Sequence, residues 1–401
     1  MVTTLPVAKA SSNLFGQFPL KEPSAASLPP SSTGSAAVPV EELNTGLLAE
    51  ILKRGDAKQV PDQYLVKEEE RPTVSFDQWA DLPIIDFSEV YTNEAGLAEK
   101  IGAACRDWGF FQLVNHGIEL ENVLSFRDQG LKFFGLPVEV KNKMITDKNF
   151  CQYRANHLDK GLGHTNLLWA ESLAFKYKPV FNLDELIERV WPEGNSELRN
   201  ISLNFASAVE KLGDNLLDLF ALSLGLPRDT FRKHFDKRRA LFIRWNYYPP
   251  CPQPSAALGI KDHTDPFVFT VLQQDEVGGL QIKVDGAWVG VRPVEGAVVV
   301  NVGDLLQAWT NDIFKSVEHR AVVNKEMTRL SVAAFTNLAD VNISMVPPPE
   351  LVDDNHPPVY RPFTFGEYLK AKYRPVNENE RVPIGHGLRV LEKFRLPTSK
   401  L

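Results

Sequence analysis

The sequence predicts a mixed α and β domain in which helices come first and an antiparallel β core follows. Two textures carry that expectation. Residues 197–225 hold the longest helical pattern. Leu198, Ile201, Phe205, Val209, Leu212, Leu216, Phe220 and Leu224 recur at three- and four-residue steps, one apolar stripe closed by Gly225. From 240 onward short apolar runs follow one another: "LFIRWNYY", "PFVFTVLQQ", "GLQIKV", "AWVGVR", "AVVVNV", "SVEHRAVV" and "RLSVAAFTN". Asp285-Gly286, between the third and fourth, is a two-residue hairpin signal. Strands this short and this closely spaced imply a sandwich or a barrel.

The remaining elements fall into place around these. Residues 43–53, "LNTGLLAEILK", have the pattern of a short amphipathic helix, and "DLPIIDFSEV" at 81–90 reads as a strand. From 94 to 118 the chain begins helical and changes at Trp108-Gly109 into the strand "FFQLVNH". A further helix runs to Phe134, where "GLP" stops it, since Gly135 permits left-handed geometry and Pro137 cannot continue a helix. A last helix, "TFGEYLKAKY", follows Pro-rich loops after 340. The expected organisation is one domain over 41–390, mainly helical over 80–225 and β over 240–340, with a C-terminal tail at 391–401.

Bulk properties narrow the function classes. The chain has 401 residues, 43% hydrophobic and 24% charged, the profile of a globular protein with a substantial core. A net charge of −7 argues against a nucleic-acid surface. No run of apolar residues is long enough for a membrane span. Cys105, Cys151 and Cys251 form neither a disulfide framework nor a CxxC clip, which suits a reducing compartment. A cytoplasmic monomer acting on a small molecule is the expectation. The first 40 residues are rich in Ser, Ala and Pro and poor in large apolar residues, so a disordered tail is expected there. The tail lacks the apolar core of a signal peptide, and the absence of arginine counts against a transit segment.

The chemistry centres on "IKDHTDPFVFTVLQQ", residues 260–274. In a strand, residues two apart share a face, so His263 and Asp265 are expected to project together. Phe267, Phe269 and Val271 would continue that face as an apolar wall. Polar side chains entering a core need a partner, and a metal ion would satisfy both. An H-x-D alone says little, because "HLD" at 157–159 repeats it in a polar stretch with no strand behind it. What gives the first pair meaning is its company. His319 lies in another strand, "KSVEHRAVV", 54 residues after Asp265. Two histidines and one carboxylate leave open positions on an octahedral ion, the arrangement of non-haem Fe(II) oxygenases. Arg329 and Ser331 follow in "TRLSVAAF", again two apart. A guanidinium fork with a neighbouring hydroxyl grips a carboxylate. Asn246 and Tyr248, in "WNYYPPC", share a strand face by the same spacing.

This order, His-Thr-Asp, a distal His, then Arg-x-Ser ten residues on, resembles the plant-type 2-oxoglutarate- and Fe(II)-dependent dioxygenases of the isopenicillin N synthase-like superfamily. "LPIIDFS", "CRDWGFFQLVNHGI", "FFGLP", "NYYPPCPQP", "GGLQI", "VVNVGDLLQAWTN" and "KSVEHRAVVN" match the same family, over roughly residues 80–375. The resemblance implies a double-stranded β-helix (jelly roll) core flanked by helices. It implies Fe(II) bound by His263, Asp265 and His319, and the distal carboxylate of 2-oxoglutarate bound by Arg329 and Ser331. Asn246 and Tyr248 would support the co-substrate. O2 is the oxidant and ascorbate a supporting reductant. The implied reaction is hydroxylation or desaturation of a small organic molecule, coupled to release of succinate and CO2. Substrate contacts are expected from Tyr153, Arg154, Trp169 and Glu171 in "CQYRAN" and "LLWAES", and from Phe267 and Phe335. "NLLWAESLAF" with "NYYPPC" is similar to gibberellin oxidases, which act on diterpenoid acids, and that is the substrate class expected first. "QVPDQYLVKEEERP" is similar to flavonoid-modifying members, the alternative. A third reading is an aminocyclopropane-carboxylate-type oxidase that uses no 2-oxoglutarate. His116, in "VNHG", is expected to be structural. His164, His234, His356 and His386 show no ligand spacing.

Overall fold

Alternation of apolar and polar residues along each strand sorts the β core into two sheets with a polar space between them. The computed structural model describes residues 48, 51–52, 58–72, 79–144, 152–154, 167–178, 182–235, 239–373 and 390–397. All of these fall in one compact unit, Val40–Leu401. In chain order the elements are β1 (Ile84–Asp86), α1 (Glu94–Asp107), β2 (Phe110–Val114), α2 (Leu120–Phe134), α3 (Val138–Lys141), β3 (Gln152–Arg154), β4 (Glu171–Lys178), α4 (Leu183–Val190) and α5 (Ser196–Leu222). Then come β5 (Arg239–Tyr248), β6 (Ile260–His263), β7 (Phe269–Gln274), β8 (Leu280–Val284), β9 (Ala287–Gly290), β10 (Val298–Val302) and α6 (Asp304–Trp309). The chain closes with β11 (His319–Ala321), β12 (Arg329–Leu338), β13 (Ser344–Met345), β14 (Phe363–Thr364) and α7 (Phe365–Tyr373).

The larger sheet has eight strands in the order β1-β2-β10-β7-β12-β5-β4-β3, and the smaller has four in the order β6-β11-β8-β9. Strand order jumps along the sequence in both, as a jelly roll requires. Pairing is antiparallel throughout these two sheets except between β1 and β2. One face of the larger sheet packs on the helices. Phe269 and Val271 of β7, Val298 and Val300 of β10 and Val332 and Ala334 of β12 join the stripe of α5 in one buried cluster. Phe269 meets Phe220 of α5 edge to face at 5.7 Å. The opposite face, with Thr270, Leu272, Asn301, Ser331 and Ala333, turns toward the smaller sheet. Leu280 and Ile282 of β8 pack there against Phe110 and Val299.

Local chemistry fixes the ends of elements. The Asn195 side chain accepts from Leu198 N–H at 2.9 Å and caps α5. Asp285 (φ 50°) and Gly286 (φ 82°) are both left-handed, the geometry of a two-residue hairpin that matches strand twist.

The structure corrects several expectations. "DLPIIDFSEV" is strand only over Ile84–Asp86, because the Asp86 carboxylate takes Ser88 N–H at 2.9 Å and turns the chain into a 3-10 helix over Phe87–Tyr91. Gly135 ends α2 at φ −74° in right-handed geometry, so the stop comes from Pro137. The mainly helical segment 80–225 also supplies β1 to β4, all to the larger sheet. Residues 391–397 are not a loose tail. Phe394 stacks on Phe363 at 4.2 Å, and Leu396 N–H donates to Val359 O at 2.9 Å. Of the helix expected over 43–53, residues 48, 51 and 52 are helical and the rest lie outside the described residues, as do the first 40. Among the described residues no helix is long and apolar enough to cross a membrane.

The largest correction concerns 263–271. His263 ends β6 in the smaller sheet, and β7 begins only at Phe269 in the larger one. Between them the backbone bonds to the start of α6, with Asp304 N–H to Asp265 O (2.8 Å), Leu305 N–H to Phe267 O (3.2 Å) and Gly303 N–H to Val268 O (2.9 Å), and it rejoins the larger sheet where Val268 N–H donates to Thr336 O of β12 (3.1 Å). The chain changes sheets here. Phe269 and Val271 therefore face the helices rather than the site, and Thr270 and Leu272 take the inner positions.

Trp245 of β5 is the hub of the helix-side core, fully buried against Phe126, Phe175 and Phe133 with ring centroids at 5.0, 5.8 and 6.4 Å. Trp245→Ala is expected to cost about 3–5 kcal/mol, measured as a lowered urea midpoint with an unchanged slope.

Candidate metal and carboxylate site

His263 and His319 are direct cross-strand partners on β6 and β11, with ring centroids 4.2 Å apart. Each ring is oriented by a backbone carbonyl. His263 Nδ1 lies 2.8 Å from Lys261 O, and His319 Nδ1 lies 3.1 Å from Val317 O. A carbonyl can only accept, so Nδ1 carries the proton, and in the neutral ring Nε2 presents a lone pair. Both Nε2 atoms point at Asp265 Oδ1, at 3.6 and 3.7 Å. Asp265 belongs to the crossing segment. Its other oxygen, Oδ2, accepts from Thr270 Oγ1 at 2.6 Å and from Asn301 Nδ2 at 2.8 Å. One ligand atom from each of the three residues lies within 4.8 Å of the others.

The electrostatics suit a cation. Burial foremost, with His319 beside it, pushes the His263 imidazole down to about 3, so the ring is neutral. Burial pushes the Asp265 carboxyl up, but the imidazoles of His319 and His263 and the bonds from Asn301 and Thr270 outweigh it and leave it below the ordinary value. An ionised carboxylate and two imidazole lone pairs thus converge without a donor between them. That donor set, each member oriented from behind by a carbonyl or by Thr270 and Asn301, fits a divalent metal.

A second unmet demand lies in the same cavity. Along β12 and β5, Arg329 pairs with Tyr248, Ser331 with Asn246 and Ala333 with Arg244, all facing inward. Arg329 is 2% exposed and its guanidinium lies 4.9 Å over the Tyr248 ring. Its polar contacts are Ser331 Oγ at 3.5 Å and Gln274 Oε1 at 3.4 Å, both at the outer limit. Its Nε has no partner, nor has the side-chain oxygen of Asn246. No carboxylate forms an ion pair with Arg329 among the described residues. Asp275, bonded to Leu330 N–H, lies near enough to act on Arg329 electrostatically but forms no ion pair with it, so the fork of the guanidinium stays open to an anionic ligand. Gly278 and Gly279 of "GGLQI" take φ +77° and +112°, and a Cβ on Gly279 would sit 2.8 Å from Val322 O and 3.3 Å from Arg329 Cδ. Glycine is what lets the backbone close over the arginine.

Of the residues expected at the substrate pocket, Phe335 lines this cavity, and Phe267 packs on Phe335 at 4.7 Å. The other four are not among its lining residues. Tyr153 donates to Glu171 Oε2 at 2.8 Å, and Glu171 is paired with Lys141 at 2.7 Å, a buried cluster that ties α3 to β3 and β4. Trp169 packs on Tyr64 and donates to Pro250 O at 3.2 Å, and Arg154 is exposed on β3. Their polar groups are taken up by the scaffold. His116 bridges backbone, with Nε2 at 2.9 Å from Gly296 O and Nδ1 accepting from Ile118 N–H at 3.2 Å. His234 packs on Trp309 and His356 pairs with Asp353 on the surface. His157, His164 and His386 lie outside the described residues. Sequence reasoning missed Thr270, Asn301 and Arg244. Asn301 carried a signal, a lone polar residue inside "VVVNV", which a buried strand cannot hold without a partner.

Comparison with known proteins agrees with this geometry. Residues 240–338 match the 2OG-Fe(II) oxygenase superfamily, and residues 82–194 match the family of non-haem dioxygenase in morphine synthesis N-terminal regions. Jasmonate-induced oxygenase 2 of Arabidopsis thaliana is 33% identical over 79% of this chain and 86% of its own length. Flavanone 3-dioxygenase 2 of Oryza sativa subsp. japonica is 35% identical over 78% of this chain and 89% of its own. Among solved structures, JOX2 in complex with 2OG, Fe and JA superposes with a TM-score of 0.71 at 30% identity, covering 87% of this chain and 97% of that one. The rice dioxygenase for auxin oxidation gives 0.64 at 25% identity, over 79% and 100%. The chain belongs to the plant-type 2-oxoglutarate- and Fe(II)-dependent dioxygenases. It is an oxidoreductase, with Fe(II) as metal and 2-oxoglutarate as co-substrate.

His263→Ala is expected to abolish both cobalt(II) binding and turnover, and His157→Ala neither. Equal loss in two folded variants would contradict the ligand set.

Proposed function

We propose that this dioxygenase oxidises a small carboxylic acid with an apolar body, using His263, Asp265 and His319 to hold iron and Arg329, Ser331, Asn246 and Tyr248 to hold 2-oxoglutarate. The observation that carries the site assignment is the meeting of two unmet demands in one cavity. A donor-free cluster of acceptors faces in from one side, and a buried arginine with no ion-paired carboxylate among the described residues from the other. A dicarboxylate joined to a metal ion answers both.

When bound, Fe(II) and 2-oxoglutarate supply O2-dependent oxidation of a substrate C–H bond, with succinate and CO2 as co-products. The chain's part is positioning. Arg329 and Ser331 grip the distal carboxylate of the co-substrate, and the ring of Tyr248 flattens the guanidinium against its strand. Thr270 and Asn301 hold Asp265 Oδ2, which leaves Oδ1 for the metal. Phe335, Phe267 and Phe242, in ring contact at 4.7 and 6.3 Å, form an apolar wall that excludes water.

The acid class rests on the relatives, and its candidate anchor is Arg244. It lines the cavity two residues from Asn246 on the same strand face, beside Ala333 and near Phe335. A guanidinium next to an aromatic wall suits a substrate with one anionic group and an apolar body. One solved neighbour is a dioxygenase for auxin oxidation, auxin being an organic acid, and another, JOX2, was solved in complex with JA. Gibberellin-type diterpenoid acids belong to the same class. The relative named for a flavanone motivates the second reading, a neutral flavonoid.

The test is Fe(II)/2-oxoglutarate reconstitution followed by a screen of jasmonate-, auxin- and gibberellin-type acids against flavanones, scored by succinate and product mass. Acids should turn over. Arg244→Met should raise their KM by at least about 10-fold while leaving that of 2-oxoglutarate. Turnover of flavanones alone would overturn the acid reading. Arg329→Met should raise the KM for 2-oxoglutarate on the order of 100-fold, since truncating one side of a buried charge pair costs about 2–5 kcal/mol, with cobalt(II) binding unchanged.

A further inference from the structure

Thr264 stands between His263 and Asp265, and neither its side chain nor its carbonyl is bonded within the sheets. Thr264 Oγ1 donates to Asp304 Oδ2 at 3.1 Å. Thr264 O accepts from Lys372 Nζ of α7 at 3.1 Å. The same Asp304 oxygen accepts from the hydroxyl of Tyr368, one turn earlier on α7. Asp304 N–H, the first of α6, donates to Asp265 O at 2.8 Å. Both carbonyls flanking the Asp265 Cα are therefore held, one by α7 and the other by α6. Pro266 follows, so the second of these peptides has no N–H with which to bond elsewhere.

The cluster is deeply buried: Tyr368 0%, Thr264 1%, Asp304 2% and Lys372 9% exposed. It joins residues 108 positions apart. Buried polar networks of this kind add little net stability over apolar packing of the same volume, because each group must first leave water. What they specify is orientation. At its far end the Asp265 side chain is fixed by Thr270 and Asn301. At its near end nothing in either sheet holds the backbone.

We infer that Tyr368 and Lys372 of the C-terminal helix are positioning residues for the metal centre: through Asp304 and the Thr264 carbonyl they set the peptide planes on either side of Asp265. No residue of α7 is among those lining the cavity, yet α7 thereby tunes metal affinity. This rests on the ligand set proposed above.

The test is cobalt(II) titration of the full-length metal-free protein, followed optically, alongside its melting temperature. Tyr368→Phe, which removes one hydroxyl, and Lys372→Met should each weaken cobalt(II) binding about 10-fold, the usual scale for losing an outer-shell partner. Arg395→Ala serves as the control. It removes a contact to Asp312 in the same C-terminal packing, 3.2 Å long, without touching the cluster. It should lower the melting temperature and leave the affinity alone. Folded Tyr368→Phe and Lys372→Met proteins that bind cobalt(II) within twofold of wild type overturn the inference. So does an equal loss in Arg395→Ala, which would mean general loosening. Wild type and His263→Ala test the ligand set alone: if they bind alike, that assignment falls and takes this inference with it.

Discussion

The site turns on one carboxylate suspended between two sheets. Asp265 reaches across the gap with one oxygen bonded to Thr270 and Asn301 of the larger sheet and the other facing His263 and His319 of the smaller. Its backbone belongs to neither: Thr264 O and Asp265 O are held by α7 and α6, and the chain rejoins the larger sheet only at Val268, whose N–H bonds to Thr336 O of β12. The helices, the sheet crossing and the cavity all serve to hold that one side chain at a fixed height. A metal ion there would tie the two sheets together, so metal binding and the closure of the β core are coupled.

The second organising constraint is charge. Arg329 is buried with no ion-paired carboxylate among the described residues, offset only in part by Asp275 and the Tyr248 ring, and the tight φ-positive pair Gly278-Gly279 brings backbone against it. A protein that keeps such a residue is built for a ligand that supplies the missing carboxylate. The neighbouring pairs Ser331–Asn246 and Ala333–Arg244 continue the same inner face, so one antiparallel register places the proposed co-substrate anchor and the proposed substrate anchor in line. Catalytic control of this kind is largely geometric, since the oxidising chemistry belongs to the iron and its co-substrate.

Much of this was legible before any coordinates. The stripe from Leu198 to Phe220 and the strand-rich half after 240 are local patterns, and local patterns survive folding. His263, Asp265, His319, Arg329 and Ser331 could be picked out because spacing along strands fixes which side chains share a face. Yet the period-two argument that linked His263 to Asp265 was right in its conclusion and wrong in its geometry. The strand ends at His263, and the pair converges because the chain crosses between sheets. The substrate candidates in the helical half fared differently. Tyr153, Trp169 and Glu171 are chemically suggestive, but Glu171 is taken by Lys141 and the Tyr153 hydroxyl, and the Trp169 N–H by Pro250 O, far away in sequence.

The sequence by itself determined the family, the metal and co-substrate chemistry and the residue types that carry it, because these are written in short motifs at fixed spacing. Tertiary structure alone decided who stands behind them. Thr270 and Asn301 behind the carboxylate, Tyr368 and Lys372 behind the peptide that bears it, and Arg244 beside the aromatic wall are brought in by sheet register and helix packing. Such contacts join residues up to 108 positions apart. They depend on how whole elements dock, and no local periodicity encodes that.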